Sequence, residues 1–198
     1  MNQDAQARSL FVQLGASNHT ENARANNDYY ATDPIAVDML LELESFNQNI
    51  LEPCCGEGHI SKPLIAHGFN VTSRDLVDRG YGDTGIDFLE TTEVFDGDII
   101  TNPPYSLAPQ FVEKAMQIIP DGHKVAMLLK IQFLEGKKRR QLLERYKPRT
   151  VWVSSSRIVC AKNGDFSKYN RGNCSAQAYA WYIWEKGYSG DTLLKWFN

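Results

Sequence analysis

The pattern between Asn49 and Asp75 limits the fold of this chain more than any other feature. It predicts a short buried strand at Ile50-Leu51, a turn over residues 52–58, a helix over residues 59–67 and a second strand over residues 69–73. A two-residue hairpin can join only antiparallel strands, whereas parallel strands need a longer crossover, which is usually a helix. A helix between two strands therefore indicates that the strands run parallel. The chain is therefore predicted to contain a β-α-β unit within a parallel sheet.

The rest of the chain extends this pattern. A third short element is predicted at residues 86–89, strands at 95–101, 124–129, 150–154 and 178–184, and helices at 34–44, 108–119 and 134–146. With 198 residues and 42% hydrophobic content, the chain is long enough for one full core. We expect an α/β, Rossmann-like, doubly wound and mostly parallel sheet of about seven strands. Residues 28–198 would form one domain, preceded by a mobile N-terminal arm at residues 1–27.

The turn after the first strand has the composition of a ligand-binding loop. It reads Glu52-Pro53-Cys54-Cys55-Gly56-Glu57-Gly58 and follows the carboxyl end of a strand, where ligands of parallel sheets bind. Gly56 and Gly58 lack a Cβ, so a ligand can approach the backbone closely. The run matches neither a dinucleotide fingerprint nor a phosphate-binding loop. Glu52 and Glu57 would repel a phosphate, but they suit an ammonium or a sulfonium.

Two acidic residues follow at the ends of the next elements. Asp75 ends the second strand, where an acid commonly binds ribose hydroxyls, although a strand-end aspartate alone is more often a turn former. Asp87-Phe88 ends the third element and offers an acceptor and a ring to an adenine. Taken together, these features predict a ligand that contains adenosine and lacks phosphate.

The stretch Asp98-Ile99-Ile100-Thr101-Asn102-Pro103-Pro104-Tyr105 predicts the catalytic site. An exocyclic amine is a poor nucleophile because its lone pair is delocalised into the ring. The Asn102 side-chain oxygen and the Pro103 carbonyl can accept its two hydrogens and direct the lone pair toward a methyl group. Pro103 and Pro104 fix two φ angles, and Tyr105 offers a face on which a base can stack.

The charge is distributed unevenly along the chain. The net charge is −12 over residues 1–136 and +9 over residues 137–171, in a protein of net charge −3. Such a basic segment favours a polyanionic partner, and a solvated helix face is the alternative. Residues 137–176 are therefore predicted to be a substrate-binding insert, with contacts from Lys137, Lys138, Arg139, Arg140, Arg157, Lys162, Lys168 and Arg171. Phosphate contacts do not read sequence, so low intrinsic sequence specificity is expected.

The run Asn102-Pro103-Pro104-Tyr105 resembles the signature of the amino methyltransferases that modify adenine N6, cytosine N4 or protein glutamine. Residues 52–58 look like the S-adenosylmethionine loop of that family, and Tyr30-Ala31-Thr32-Asp33-Pro34 resembles its aromatic segment near the methionine end of the cofactor. The resemblance extends over about residues 29–184. Within the family the chain is most similar to the compact adenine-N6 DNA methyltransferases of phages and prophages.

The resemblance implies a class I methyltransferase fold, S-adenosylmethionine as cofactor and the N6 amine of adenine in DNA, flipped out of the duplex, as substrate. The implied catalytic residues are Asn102, Pro103, Pro104 and Tyr105. The implied cofactor-binding residues are Tyr30, Glu52, Cys54, Gly56, Gly58, Asp75, Asp87, Phe88 and Asn102. No metal is expected.

Several alternatives stay open. The substrate could be cytosine N4, an RNA base or a glutamine amide, since all present a planar amine or amide, and DNA is favoured over RNA. A catalytically inactive nucleic-acid-binding module is the alternative outside enzymes. Without a signal sequence or an apolar run that could span a membrane, the expected location is the cytoplasm of a bacterium or of a phage-infected host cell. The sequence predicts no oligomeric state.

Overall fold

The structure is a computed structural model that describes residues 29–168 and 177–198. Within these ranges the strands are β1 (Tyr30–Thr32), β2 (Asn49–Glu52), β3 (Asn70–Asp75), β4 (Asp83–Thr84), β5 (Asp98–Thr101), β6 (Lys124–Lys130), β7 (Thr150–Ser154), β8 (Cys160–Lys162), β9 (Tyr179–Glu185) and β10 (Leu193–Phe197). The α-helices are α1 (Ile35–Leu43), α2 (Ser61–Ala66), α3 (Ala108–Ile118) and α4 (Lys137–Arg145). Short 3₁₀ helices occupy Phe88–Glu90, Ile131–Leu134 and Phe166–Lys168.

Eight of these strands form one sheet in the order β10-β7-β9-β6-β5-β2-β3-β4. All pairs in this sheet are parallel except those of β9, which runs antiparallel to both β6 and β7. The chain builds β2, β3 and β4 toward one edge and then returns to place β5 on the other side of β2. The strand order therefore reverses between β2 and β5, which is the position where open α/β sheets form ligand crevices.

The sheet has a helical layer on each face. Alternate residues of a strand point to opposite faces, so Ile50 packs in one cluster and its neighbour Leu51 in the other. Helices α1 and α2 cover the Ile50 face, whereas α3, α4 and the 3₁₀ helix at Phe88–Glu90 cover the Leu51 face. These two layers confirm the predicted doubly wound architecture.

Two buried tryptophans of β9 tie the layers to the sheet. The Trp181 indole donates to the Ala36 carbonyl of α1 at 3.0 Å, and the Trp184 indole donates to the Tyr146 carbonyl after α4 at 3.0 Å. Both rings are fully buried, so each N–H needs such a partner. The two bonds lie on opposite faces of one central strand.

The structure differs from the sequence predictions in four places. The sheet has eight strands rather than seven, because Asp83–Thr84 forms β4 in place of the element predicted at residues 86–89, and residues 193–197 add the parallel edge strand β10. Strand β1 pairs with β8 in a separate antiparallel ribbon, in segments for which no strand was predicted. Residues 86–89 do not form an extended element, since Asp87 caps a 3₁₀ helix. The strand predicted at 95–101 begins only at Asp98.

Candidate active site

A cavity of about 410 Å³ opens at the carboxyl ends of β2, β3 and β5. Its size falls within the range of small-molecule sites. Its wall contains carboxylates, aromatic rings and aliphatic side chains, and the two acidic residues end strands β2 and β3. The wall consists of Tyr29, Tyr30, Ala31, Thr32, Glu52, Cys54, Cys55, His59, Ile60, Asp75, Leu76, Val77, Arg79, Asn102, Pro104, Ser106 and Leu107.

Asp75 holds the loop that follows β2. One carboxylate oxygen accepts from the Gly56 N–H at 2.8 Å, and the other accepts from the Val77 N–H at 2.8 Å. The loop is fixed further by a backbone bond from Cys55 N–H to the Arg74 carbonyl at 2.9 Å. A carboxylate can accept about four hydrogen bonds. Asp75 therefore positions the loop and keeps capacity for a ligand hydroxyl.

Tyrosine rings fill the space above the two loop glycines. A Cβ on Gly56, whose φ is +54°, would lie 2.5 Å from the Tyr29 ring, and one on Gly58 would lie 2.7 Å from the Tyr81 ring. Gly56 thus brings Tyr29 into the cavity wall. Neither glycine lines the cavity itself. The two glycines therefore affect ligand binding indirectly, because they leave room for the Tyr29 and Tyr81 rings.

Glu52 is a buried acid in the cavity wall. It is 1% exposed, and it accepts a hydrogen bond from the Ser61 hydroxyl, which also lies 2.6 Å from the Ser73 hydroxyl. Burial, together with the nearby charge of Asp75, raises the pKa of the Glu52 carboxyl to about 8. At neutral pH the carboxyl is therefore largely protonated.

Tyr29 and Arg79 close one side of the cavity. The Tyr29 hydroxyl donates to Glu57 at 3.1 Å, and the Arg79 guanidinium lies 4.1 Å from the centre of the Tyr29 ring. Cys54 and His59 also face the cavity, where burial raises the pKa of the Cys54 thiol and lowers that of the His59 imidazole. Both groups are consequently held neutral.

Asn102 connects residues 102–105, which follow β5 and are the predicted catalytic loop, to strand β1. Its Nδ2 donates to the Tyr30 carbonyl at 2.9 Å and to the Thr32 hydroxyl at 3.0 Å. These two bonds fix the orientation of the carboxamide. The Oδ1 atom is buried beside the cavity and has no hydrogen-bond partner among the described residues. A buried acceptor without a partner is costly, which makes it a candidate ligand contact.

The other residues of the catalytic loop are arranged around Asn102. Pro103 is buried, whereas Pro104 lines the cavity and its carbonyl accepts from the Leu107 N–H at 2.9 Å. The Tyr105 ring lies 5.5 Å from the Tyr30 ring, and the Lys130 ammonium lies over it at 4.8 Å. Burial raises the pKa of the Tyr105 phenol. Tyr105 lies next to the cavity but is not part of its wall.

Asp87 and Phe88 are not brought to the cavity. The Asp87 carboxylate accepts from the Leu89 N–H at 2.9 Å, where it caps the 3₁₀ helix, and Phe88 is 4% exposed and packs on Phe111. Both residues are engaged in the structure of their own turn and core. Leu76 and Val77, which follow Asp75, supply apolar wall in their place.

The predicted substrate-binding residues are spread over several elements. Lys137, Lys138, Arg139 and Arg140 lie on α4, Arg157 lies between β7 and β8, and Lys162 ends β8. Lys168 ends the 3₁₀ helix at Phe166–Lys168, and Arg171 lies outside the described residues, as do residues 1–27.

The sequence did not indicate Thr32, Arg79 or His59 as site residues, and it favoured Tyr30 over Tyr29. Thr32 lies two residues before Pro34 in the sequence, and the Tyr29 ring packs over Gly56 in the structure. Only the tertiary structure places Thr32 and Tyr29 at the cavity. Arg79 lies in a glycine-rich loop, and the sequence of this loop shows no helical or strand periodicity.

In residues 29–168 and 177–198, no group of three His, Cys, Asp or Glu side chains could hold a metal ion. No helix in these ranges has both the length and the apolar composition of a membrane span.

Neither a protein-family model nor a curated protein matches the sequence. The fold, however, is similar to solved structures at low sequence identity. A protein of Pyrococcus horikoshii described as an RNA methyltransferase is 17% identical, with a TM-score of 0.59 over 94% of this chain and 98% of that one. A type I restriction enzyme modification subunit of Vibrio vulnificus is 12% identical, with a TM-score of 0.58 over 97% of this chain and 51% of that one.

A third similar structure comes from Listeria monocytogenes. It is described as a class I S-adenosylmethionine-dependent methyltransferase and is 13% identical, with a TM-score of 0.56 over 98% of this chain and 72% of that one. Identities this low establish the architecture and no more. The chain has a mixed α/β fold built on a mostly parallel eight-stranded sheet, and the structures similar to it include methyltransferases.

Proposed function

We propose that this protein transfers a methyl group from S-adenosylmethionine to the exocyclic amine of a nucleic-acid base, with adenine N6 in DNA as its substrate. The observation that carries the proposal is the Asn102 carboxamide. Its donor side is fixed by Tyr30 and Thr32, and its acceptor side is buried beside the cavity without a partner. An amine hydrogen is a donor that suits such an acceptor.

The cavity suits S-adenosylmethionine, which supplies a methyl group on a cationic sulfonium when bound. In its ionised form, which a nearby cation would favour, Glu52 can offset a positive charge, and Asp75 has acceptor capacity left for ribose hydroxyls. Tyr29, Leu76 and Val77 give apolar surface for an adenine ring. We assign the cofactor to these residues, rather than to Asp87 and Phe88, because they line the cavity.

Asn102 would prepare the amine for attack. Its Oδ1 accepts one amine hydrogen, and the Pro103 carbonyl is the proposed second acceptor, as the resemblance of Asn102-Pro103-Pro104-Tyr105 to the amino methyltransferase signature implies. Acceptors that are fixed before the reaction stabilise the positive charge that develops on the nitrogen. Tyr105 would support the base plane, with its ring held by Tyr30 and Tyr179.

The basic segment supports a nucleic acid as the substrate. Residues 137–171 carry a net charge of +9, and the similar structures include one described as an RNA methyltransferase and one described as a restriction enzyme modification subunit. Adenine in DNA rests on the resemblance of Asn102-Pro103-Pro104-Tyr105 and of residues 52–58 to the compact adenine-N6 enzymes.

The proposal is tested by identifying the methylated product. The protein is incubated with labelled S-adenosylmethionine and duplex DNA, RNA or a glutamine-bearing peptide, and the digested products are separated. We expect N6-methyladenine from DNA. If methylated cytosine, RNA or glutamine is found instead, the assigned substrate is wrong and the methylated molecule takes its place. Cofactor binding without transfer to any of them would favour an inactive binding module.

Replacing Asn102 tests the assigned role of its side chain. Asn102→Ala should lower kcat by about 100-fold or more, the effect of removing one preorganised charge-stabilising group, while the S-adenosylmethionine Kd changes little. Thr32→Val is the matched control, since it removes one of the two anchors and keeps Oδ1. It should cost only about one hydrogen bond, which is roughly fivefold in rate. Equal losses in the two variants would assign Asn102 a structural role.

A further inference from the structure

Helix α4 presents two faces that differ in charge. Residues three and four apart share a helix face, so Lys138 and Arg145 lie on one side and Lys137, Arg140 and Glu144 on another. The first side borders a groove of about 520 Å³ between α3 and α4, whose charged lining is Lys138, Arg139, Arg145 and Glu113. Three cations and one carboxylate leave this groove with a charge of +2.

The other face of the helix is electrically balanced. The Arg140 guanidinium pairs with Glu144 at 2.7 Å, and the Lys147 ammonium lies 4.0 Å from Asp191. The hollow on this side is lined by the cations Lys137, Arg140 and Lys147 and by the carboxylates Glu135, Glu144 and Asp191. Its formal charge is zero, so it offers a polyanion no net attraction.

The positive groove adjoins the catalytic cavity. Ser106, which follows Tyr105 directly, lines both of them, and Pro109 at the start of α3 continues the groove wall. A strand that lies in the groove would therefore meet the catalytic loop without crossing another element. The balanced face shares no lining residue with the cavity.

Arg139 is held in place at the base of the groove. Its guanidinium donates to the Gln132 carbonyl at 2.8 Å and lies 5.9 Å from the centre of the Phe133 ring. A guanidinium that is already fixed loses less conformational entropy when it binds a phosphate. Lys138 and Arg145 are exposed at the rim.

We propose that the groove between α3 and α4 binds the sugar-phosphate backbone of the target DNA strand next to the flipped base. The inference rests on the proposed function, because that function places a DNA base in the adjoining cavity. A flipped base leaves its own backbone outside the pocket, so phosphates come to lie at the cavity mouth. The groove supplies one cation that is fixed by the Gln132 carbonyl and two that are exposed to solvent, and phosphates bind such cations.

The test compares two double variants that each remove one lysine and one arginine charge from α4. Lys138→Gln with Arg145→Gln alters the groove, and Lys137→Gln with Arg140→Gln alters the balanced face. The Kd of each full-length protein for a fluorescent duplex DNA is measured by anisotropy over a range of salt, without cofactor. Circular dichroism melting verifies that both variants fold.

The groove variant should reduce the slope of log Kd against log salt by about 1.8, which corresponds to two phosphate contacts. The balanced-face variant should reduce it by less than half as much. In methyl transfer, the groove variant should raise the KM for DNA more than it lowers kcat. Equal slopes for the two variants, or a larger effect of the balanced-face variant, would overturn the inference.

The outcome is separable from that of the proposed function. DNA binding is measured without methyl transfer. If the groove variant weakens DNA binding in a protein that methylates nothing, the groove assignment stands and the proposed function is refuted. If the protein methylates DNA but the two double variants have equal slopes of log Kd against log salt, the proposed function stands and the groove assignment is refuted. Binding of RNA in preference to duplex DNA would replace the proposed partner.

Discussion

At the scale of single residues, two buried polar groups carry the chemistry proposed for the cavity. Asn102 and Glu52 each follow or end a central strand, where the backbone is rigid and the side chain faces the ligand crevice. Both could be predicted from the sequence, because an apolar strand that ends in a polar residue indicates an interior site. Their bonds to Tyr30, Thr32 and Ser61 could not, since these partners come from other elements.

The Glu52 carboxyl should make stability depend on pH. Its folded pKa of about 8 lies above the ordinary value of about 4.5, so the native state keeps a proton that the unfolded state loses. Stability should therefore fall as pH rises between these values, by about 1.4 kcal/mol per pH unit from this group.

Glu52→Gln should remove that dependence, because the amide keeps the shape and an acceptor for Ser61 but does not titrate. Urea unfolding at pH 5.5 and 7.5 measures the effect. The free energy of unfolding of the wild type should fall by about 2 to 3 kcal/mol more over this interval than that of the variant. Parallel pH profiles would show that the folded pKa of Glu52 is close to its ordinary value.

At the scale of elements, the cavity depends on a loop and on a short ribbon. The loop after β2 was predictable, since glycines and acids directly after a buried strand indicate a binding turn. The ribbon of β1 and β8 was not, because three-residue strands are too short to show a period and their partners lie about 130 residues apart. This ribbon carries the Tyr30 carbonyl and the Thr32 hydroxyl to Asn102.

Gly56→Ala should weaken cofactor binding more than stability. The added Cβ would lie 2.5 Å from the Tyr29 ring and push it from the cavity wall, and the φ of +54° adds backbone strain of about 1 kcal/mol. Gly68→Ala is the control, because Gly68 also has a positive φ but no described atom lies within 4 Å of a Cβ built there.

Both variants should lose similar stability in thermal melts, whereas only Gly56→Ala should raise the S-adenosylmethionine Kd, as measured by calorimetry. A Gly56→Ala protein that binds the cofactor like the Gly68→Ala protein would show that the Tyr29 ring does not form part of the cofactor site.

At the scale of the whole molecule, one buried carboxylate joins the helix α1 to the centre of the sheet. Glu44 follows α1, and its side chain is 6% exposed. It accepts from the Trp152 indole at 2.9 Å, pairs with Arg149 and lies 3.6 Å from the Lys124 ammonium. The residues it contacts belong to β6 and β7 or to the turn before β7, so the cluster depends on the complete fold.

Glu44→Ala should reduce the free energy of unfolding by about 3 kcal/mol, because it leaves Arg149 partly buried with a single carboxylate, Glu185. Glu42→Ala removes the same charge from an exposed position of α1 and should change it by less than about 0.5 kcal/mol. Urea denaturation measures both. Similar losses would mean that the cluster contributes through net charge alone.

The sequence by itself determined the α/β class, the two-faced sheet and the strand-end positions of Glu52, Asp75 and Asn102. Those features depend on local periodicity and on where an apolar run stops, which a single segment carries. The tertiary structure decided the rest. It placed β9 between β6 and β7, brought β1 and β8 together over Asn102, and turned Asp87 and Phe88 into a cap and a core residue. It also separated the basic residues of α4 into a charged groove and a balanced face. These outcomes depend on contacts between residues far apart in the chain, and no local pattern records such contacts.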